Sequence, residues 1–577
     1  MQARMRRRNV LAGGVGLAVT GALGPLAVAR EWPAPGQPGW PSDADWDGLK
    51  SAVGGRLQPV VIPDLKDPTV RKLIGNPFYI GEQPGLTQSS GWLDAWRSSP
   101  SAYVVAAESP ADVAAAIRFA RAHGLRLVVR GGAHSYLGYS NAPGSLMIWT
   151  KPMRQITVHE AFTPAGVGAQ PAPAVSVGAG AIWLEAYQAV TTGAGRYVQG
   201  GGCTTVGVAG LLQGGGFGSY SKRYGTAASS LIEAEIVTAD GKVRVVNAAQ
   251  DPELFWALKG GGGGTFGVIT RLTLATHELP ATFGAVRLRI HAGSDEAYRR
   301  LLARFIDFYA TSLLNPHWGE QARAQGDNTL VVEMVFQGLT SDEARATFKP
   351  LIDFANASPG DYHGQESMLA LALPARSFWD ADFWRKYAPF AVTFDPRPGA
   401  PSSHFWWAGN SEEVGVFWHA YKSAWLPSSL LEPQNQSRLV DAWFQASRHW
   451  SASFHFNKGL AGAPPEAIAS ARDTATNPEV VDAFALVIIA GASGPAYQGM
   501  PSPDLAGANA ERARIDAAMG AMLAAAPNAG AYLNECDYFQ SDWRGAFWGP
   551  HYPRLLAAKR RYDPDGLFSV HHGVGEA

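Results

Sequence analysis

The sequence predicts an α+β fold, on three observations. Short apolar strands alternate with well-capped helices between residues 109 and 275. Two β-runs, 232–237 and 243–246, flank Asp240-Gly241, the turn dipeptide of an antiparallel hairpin. Beyond residue 281, strand patterns (329–336, 483–489) alternate with helical stretches (296–309, 341–356). This mixture argues for α+β rather than an all-parallel sheet.

The elements follow in chain order. Residues 1–29 read as a targeting segment. Arg7-Arg8 stands one residue before Val10-Leu11, a Gly/Ala-rich and mildly apolar stretch follows, and Ala27-Val28-Ala29 supplies a small-residue cleavage site. The stretch is too weakly hydrophobic for a comfortable membrane span, although an uncleaved anchor remains the alternative. This is the twin-arginine pattern, and export of a folded chain to the periplasm or exterior is the expectation. Residues 30–95 are rich in Pro, Gly and Trp without sustained periodicity and read as a lead-in wrapped around a domain.

Regular structure starts at Ser109-Pro110-Ala111-Asp112, where a cap, a first-turn proline and an acid three residues after the cap open a helix to Gly124. A strand at 125–129 puts His134 in the loop just beyond it. A strand at 175–178 and a helix at 182–190 enclose Gly178-Ala179-Gly180, which suggests a dinucleotide turn; the third glycine and the later acid are missing, so that reading is rejected. Lys259 and five glycines lie between a helix (252–258) and a strand (268–275). The block lacks the closing Lys-Ser/Thr of a phosphate loop and reads either as a connector or as the wall of a ligand site.

Composition narrows the function. With 48 basic and 49 acidic residues among 577, no chain-wide field attracts nucleic acid or an anionic membrane. Neither partner is expected, nor a membrane once the leader is removed. Two cysteines make no disulfide framework, and no metal-type Cys/His cluster is present, so no metal is expected.

Two glycine turns carry the chemistry. Arg130-Gly131-Gly132-Ala133-His134-Ser135 and Gly202-Cys203-Thr204-Thr205-Val206-Gly207, the latter followed by Gly210 and Gly214-Gly215-Gly216, each bring main-chain N–H groups toward an anion and carry one nucleophile. Together they resemble the berberine-bridge-enzyme branch of the vanillyl-alcohol-oxidase flavoprotein superfamily. The resemblance extends to Ala531-Tyr532-Leu533-Asn534-Glu535-Cys536 and to the C-terminal Lys559–Phe568 and His571–Gly575 runs. It implies FAD bonded through its 8α-methyl to His134 and through the neighbouring ring carbon to Cys203, with Gly267 and Val268 at the adenine and diphosphate wall. It also implies a PCMH-type FAD-binding domain (96–280), an antiparallel-sheet substrate domain covered by helices (281–495), and a C-terminal segment (496–577) that returns to the first. The activity implied is oxidation of an alcohol, sugar or phenolic hydroxyl, with O2 as acceptor; a quinone- or protein-linked dehydrogenase and a flavin-carrying binding protein are the rivals.

For Cys203, surrounding N–H groups would lower the thiol pKa, while a disulfide with Cys536 is the alternative. Relatives' histidine after the next glycine pair is Leu211 here. The family's Tyr-x-Asn-Tyr ends in Glu535, which burial beside a flavin would make a base, unless it only pairs with an arginine such as Arg554. Tyr532 and Asn534 are further candidates, for the substrate hydroxyl and the flavin edge. Aromatic segments such as Phe378-Trp379 and Phe405-Trp406-Trp407 read as core or as a sugar- or phenol-binding wall.

Overall fold

A computed structural model of the chain describes residues 32–168 and 170–576. The targeting segment at 1–29 lies outside the described residues.

Three sheets position the site. The first has four strands in the order Leu57–Pro59, Tyr103–Ala106, Leu146–Trp149, Leu127–Arg130. Its helix, Pro110–Ala122, begins as expected: the Ser109 side chain accepts from Asp112 N, and the Asp112 carboxylate accepts from Ser109 N. Such a box is worth about 1 kcal/mol. The second sheet has five strands, ordered Val243–Val246, Leu231–Val237, Val268–Ala275, Ala172–Gly178, Ile156–Phe162, all antiparallel. The hairpin at Asp240-Gly241 forms as predicted, with Gly241 at a φ of 72°.

The third sheet has ten strands and is the floor of the second half. Its long members, Thr282–Ala292, Thr329–Gln337, Val416–Pro427 and Ala483–Ser493, pair antiparallel with their neighbours, apart from one parallel pairing with Ser89–Trp92. Helices Asp295–Phe308, Ser341–Asn356, Pro433–His449 and Leu505–Ala525 supply buried residues to the apolar core beneath one face. A second core contains residues from the five-stranded sheet together with Trp418, Tyr421 and Trp425 of Val416–Pro427.

Two expectations are corrected. Residues 30–95 are not an irregular wrap: they contain helices Asp43–Ala52, Pro68–Leu73 and Pro77–Glu82, Leu57–Pro59 joins the first sheet, and Ser89–Trp92 joins the third. Their elements are too short to show a period, and pairing partners far along the chain stabilise them. The helix expected over 182–190 is α-helical only at Trp183–Tyr187 and widens into a π-turn at Gln188–Gly193.

The Gly178-Ala179-Gly180 turn serves packing. A Cβ on Gly180 would lie 2.0 Å from Thr150 O, and one on Gly178 2.3 Å from Met153 O. Backbone meets backbone there, which explains the glycines without a dinucleotide.

Candidate active site

A cavity of about 900 Å3 opens between the glycine turns on one side and the ten-stranded sheet with the C-terminal segment on the other. Gly131, Gly132, Ala133, His134 and Ser135 line it from the loop after Leu127–Arg130. Gly202, Cys203, Val206, Gly207 and Gly210 line it from the second turn. The two turns touch through their backbones: a Cβ on Gly132 would stand 2.6 Å from Gly207 N. Ala133 takes a φ of 63°, a left-handed conformation that turns the chain just before His134.

This wall fits a flavin. A Cβ on Gly202 or Gly210 would meet nothing within 4 Å, so both turns face open space. The glycine block after Lys259 is not a loose connector, since Gly263, Gly264 and Gly267 line the same cavity. Trp548 Nε1 donates to Gly260 O at 3.0 Å and Lys559 Nζ to Thr265 O at 2.7 Å, which ties the C-terminal segment to the block.

His134 and Cys203 are closely surrounded by protein yet keep accessible surface, as side chains lining a cavity do. Burial lowers the His134 pKa to about 4, so the ring is neutral and nucleophilic at physiological pH. Its Nε2 lies 3.1 Å from Thr205 Oγ1, and Nδ1 has no hydrogen-bond partner among the described residues. The expected acidification of Cys203 is reversed: burial pushes the thiol up, and the negative charges of Glu413 and Glu535 push it further. Desolvation is the largest cause, and no main-chain N–H donates to the sulfur among the described residues. The alternative disulfide does not form; both thiols are free, and Cys536 is buried with its Sγ donating to Leu533 O at 3.2 Å.

Several predicted contacts lie off the cavity. The Arg130 guanidinium is fully buried and donates to the carbonyls of Ile80, Gln83, Pro84 and Leu86, pinning the lead-in rather than lining the site. Gly214, Gly215, Gly216 and Val268 do not line the cavity either. The three glycines permit tight packing behind it, where a Cβ on Gly214 would lie 2.2 Å from Asn534 Oδ1 and one on Gly215 2.8 Å from Thr476 Cγ2. Leu211, in the place of the relatives' histidine, lines the cavity and its carbonyl accepts from Asn534 Nδ2 at 3.3 Å.

Tyr532, Asn534 and Glu535 all line the cavity. Glu535 N donates to Tyr532 O at 2.9 Å, closing a tight turn, and Ser423 Oγ donates to Glu535 O at 2.6 Å, fixing that turn to strand Val416–Pro427. Asn534 Nδ2 donates to Tyr532 Oη at 3.0 Å. Burial and the neighbouring Glu535 push the Tyr532 hydroxyl up, so it is protonated. Arg554 is not the partner of Glu535: it forms a two-pronged pair with Glu253 at 2.8 Å. The partner is Lys458, whose Nζ donates to Glu535 Oε2.

Among the lining residues that sequence reading missed are Lys458, Glu320 and Glu413. Glu320 adopts a φ of 67° inside strand Trp318–Ala324 and accepts from Ser219 Oγ; burial raises its pKa, against the pull of Ser219 and Lys458. Glu413 ends a short helical turn before Val416–Pro427, and burial together with Glu535 pushes it up to about 7. No motif marks these residues, because their neighbours in space come from distant strands. Of the aromatics, Phe405, Trp406 and Trp418 are core, whereas Phe378, Trp379 and Trp407 reach the cavity.

A cavity joining glycine turns, two nucleophiles and a carboxylate–ammonium pair defines a flavin-dependent oxidoreductase. Residues 100–247 match the family described as FAD binding domain, and 531–575 that described as berberine and berberine like. An FAD-linked oxidoreductase of Aspergillus versicolor, notD', is 30% identical over 591 residues, covering 94% of this chain and 87% of its own. The VAO-type flavoprotein oxidase VAO615 of Thermothelomyces thermophilus is 28% identical over 581 residues, covering 94% and 92%. The crystal structure of MtVAO615 from Myceliophthora thermophila C1 superposes with a TM-score of 0.76 at 26% identity, covering 94% of this chain and 97% of that one. The chain belongs to the FAD-linked oxidoreductases of the vanillyl-alcohol-oxidase type, with a berberine-like C-terminal segment.

Proposed function

We propose that the protein oxidises the hydroxyl of a small alcohol, sugar or phenol, with FAD tethered through His134 and Cys203 and with O2 as final acceptor, releasing H2O2. The carrying observation is one cavity that sets both nucleophiles against the Glu535–Lys458 pair. FAD supplies the hydride acceptor. Glu535 takes the hydroxyl proton, Lys458 holds that carboxylate in place through its hydrogen bond, and Tyr532 and Asn534 orient the donor oxygen. Phe378, Trp379 and Trp407 offer the flat apolar faces on which a sugar or phenol ring stacks.

The test is anaerobic addition of alcohols, sugars and phenols to the purified yellow protein. Bleaching by one class, with colour and peroxide returning on admission of air, supports the reading. Bleaching that air does not reverse points to a dehydrogenase, and no bleaching by any of the three classes overturns the substrate assignment.

Export rests on the sequence alone. Residues 1–29 direct twin-arginine export and cleavage near Arg30; replacing Arg7 and Arg8 by lysine should hold the precursor in the cell, and undiminished export of that variant refutes the assignment.

A further inference from the structure

Beside the main cavity lies a smaller one of about 40 Å3, lined among others by His134, Tyr136, Cys203, Asn410 and Glu413. Glu413 lines both spaces. Three carboxylates face the main cavity, and two are engaged: Glu535 by Lys458, Glu320 by Ser219 and Asn457. Glu413 has neither a hydrogen bond nor an ion pair among the described residues. It nevertheless sits in a fixed place, because Gly415 N donates to Gln88 O at 2.7 Å just beyond it.

We propose that Glu413 is the base that deprotonates Cys203 when the thiol bonds the flavin ring. The inference rests on the Cys203 tether put forward above. It answers a difficulty the structure poses: a buried thiol beside two carboxylates stays protonated, and a protonated thiol is a poor nucleophile. His134 does not fill the role, since burial keeps its ring a weak base and Thr205 occupies Nε2. Lys458 and Glu535 are engaged with each other, and burial keeps the Tyr136 and Tyr421 hydroxyls protonated. A free carboxylate pushed up to about 7 is matched to accept a proton at neutral pH.

The step balances. Cys203 Sγ bonds the ring carbon next to the 8α-methyl-bearing edge as Glu413 takes the thiol proton. Bound FAD would take up the two electrons of this addition, together with the proton lost from that carbon and the one relayed by Glu413. Dioxygen would then remove two electrons and two protons, giving H2O2 and leaving the oxidised flavin bonded to Cys203 Sγ. The net change is thiol plus ring C–H plus O2 to thioether plus H2O2.

The test is peptide mapping of Glu413→Gln, with free Cys203 trapped by iodoacetamide after denaturation. In the wild type, His134 and Cys203 peptides should be joined through flavin. In the variant the His134 bond should persist, while the rate of Cys203 bonding, followed in air from protein prepared without oxygen, falls about a hundred-fold. Glu413→Ala should lose the bond likewise and regain it when formate is supplied as a diffusible base. Bonding in both variants at the wild-type rate overturns the role of Glu413. A wild-type protein whose Cys203 is wholly alkylated overturns the tether itself, a separate outcome. Should Glu413→Gln bind no flavin, the formate response of Glu413→Ala decides, and its absence counts against the proposal.

Discussion

Lys458 Nζ donates to Glu535 Oε2 across 77 residues of chain, joining the turn after strand Ala452–His455 to the C-terminal segment at the wall of the cavity. Lys458 also lies 6.0 Å from the centre of the Tyr532 ring, so one ammonium stands beside both Glu535 and Tyr532. It is the only lysine or arginine among the described residues that pairs with a carboxylate lining the cavity.

Glu535→Gln keeps the shape and removes the basicity. Flavin reduction by the responsive substrate should slow about a hundred-fold, with flavin absorbance and substrate affinity little changed. Rapid mixing without oxygen measures it; a rate near wild type would make the carboxylate structural.

Lys458→Met should shift the acid limb of the pH–rate profile to higher pH. The ammonium holds down the proton affinity of Glu413 and opposes the rise at Glu320, so its loss leaves three carboxylates sharing one space. An unmoved profile would contradict this coupling.

Gly132→Ala should cost about 1–3 kcal/mol of stability and reduce covalent flavin, because the new methyl must separate two backbones that now meet. Thermal unfolding and flavin retained after acid precipitation report the two effects. Gly202→Ala, with open space before it, should leave stability of the flavin-free protein unchanged while impeding flavin uptake.

Burial holds His277 at a pKa of about 4 and His572 at about 3, against about 6.5 in the unfolded chain. The unfolded state therefore binds more protons below pH 6.5. The stability these residues contribute is complete above that pH and drains away as pH falls toward 4, by up to about 1.4 kcal/mol per pH unit for each. Unfolding midpoints between pH 7.5 and 5 should fall accordingly, and less steeply in a double His277→Gln, His572→Gln variant.

His134→Ala should leave flavin attached through Cys203 alone, and Cys203→Ala through His134 alone. Acid precipitation that frees all FAD from the wild type would refute both tethers.

Local chemistry made much of this legible. The Ser109–Asp112 box, the Asp240-Gly241 hairpin and the helix at Pro252–Leu258 depend on residues a few positions apart, and each forms where the sequence predicts it. The turns of His134 and Cys203 are readable because their residues lie consecutively in the sequence, although what Gly132 is for, the close approach to Gly207, is a contact between distant segments.

The sequence by itself thus determined the α+β class, the hairpins and caps, the two nucleophile-bearing turns and the kinship with flavin oxidoreductases. Tertiary structure alone decided that Cys203 and Cys536 remain apart as thiols, that Arg130 is spent on lead-in carbonyls, and that Lys458, not Arg554, meets Glu535. It also brought Glu320 and Glu413 to the cavity. The physical reason is range: caps and turns are set by neighbours along the chain, whereas ion pairs, desolvation and cavity walls depend on which distant strands a shared core draws together.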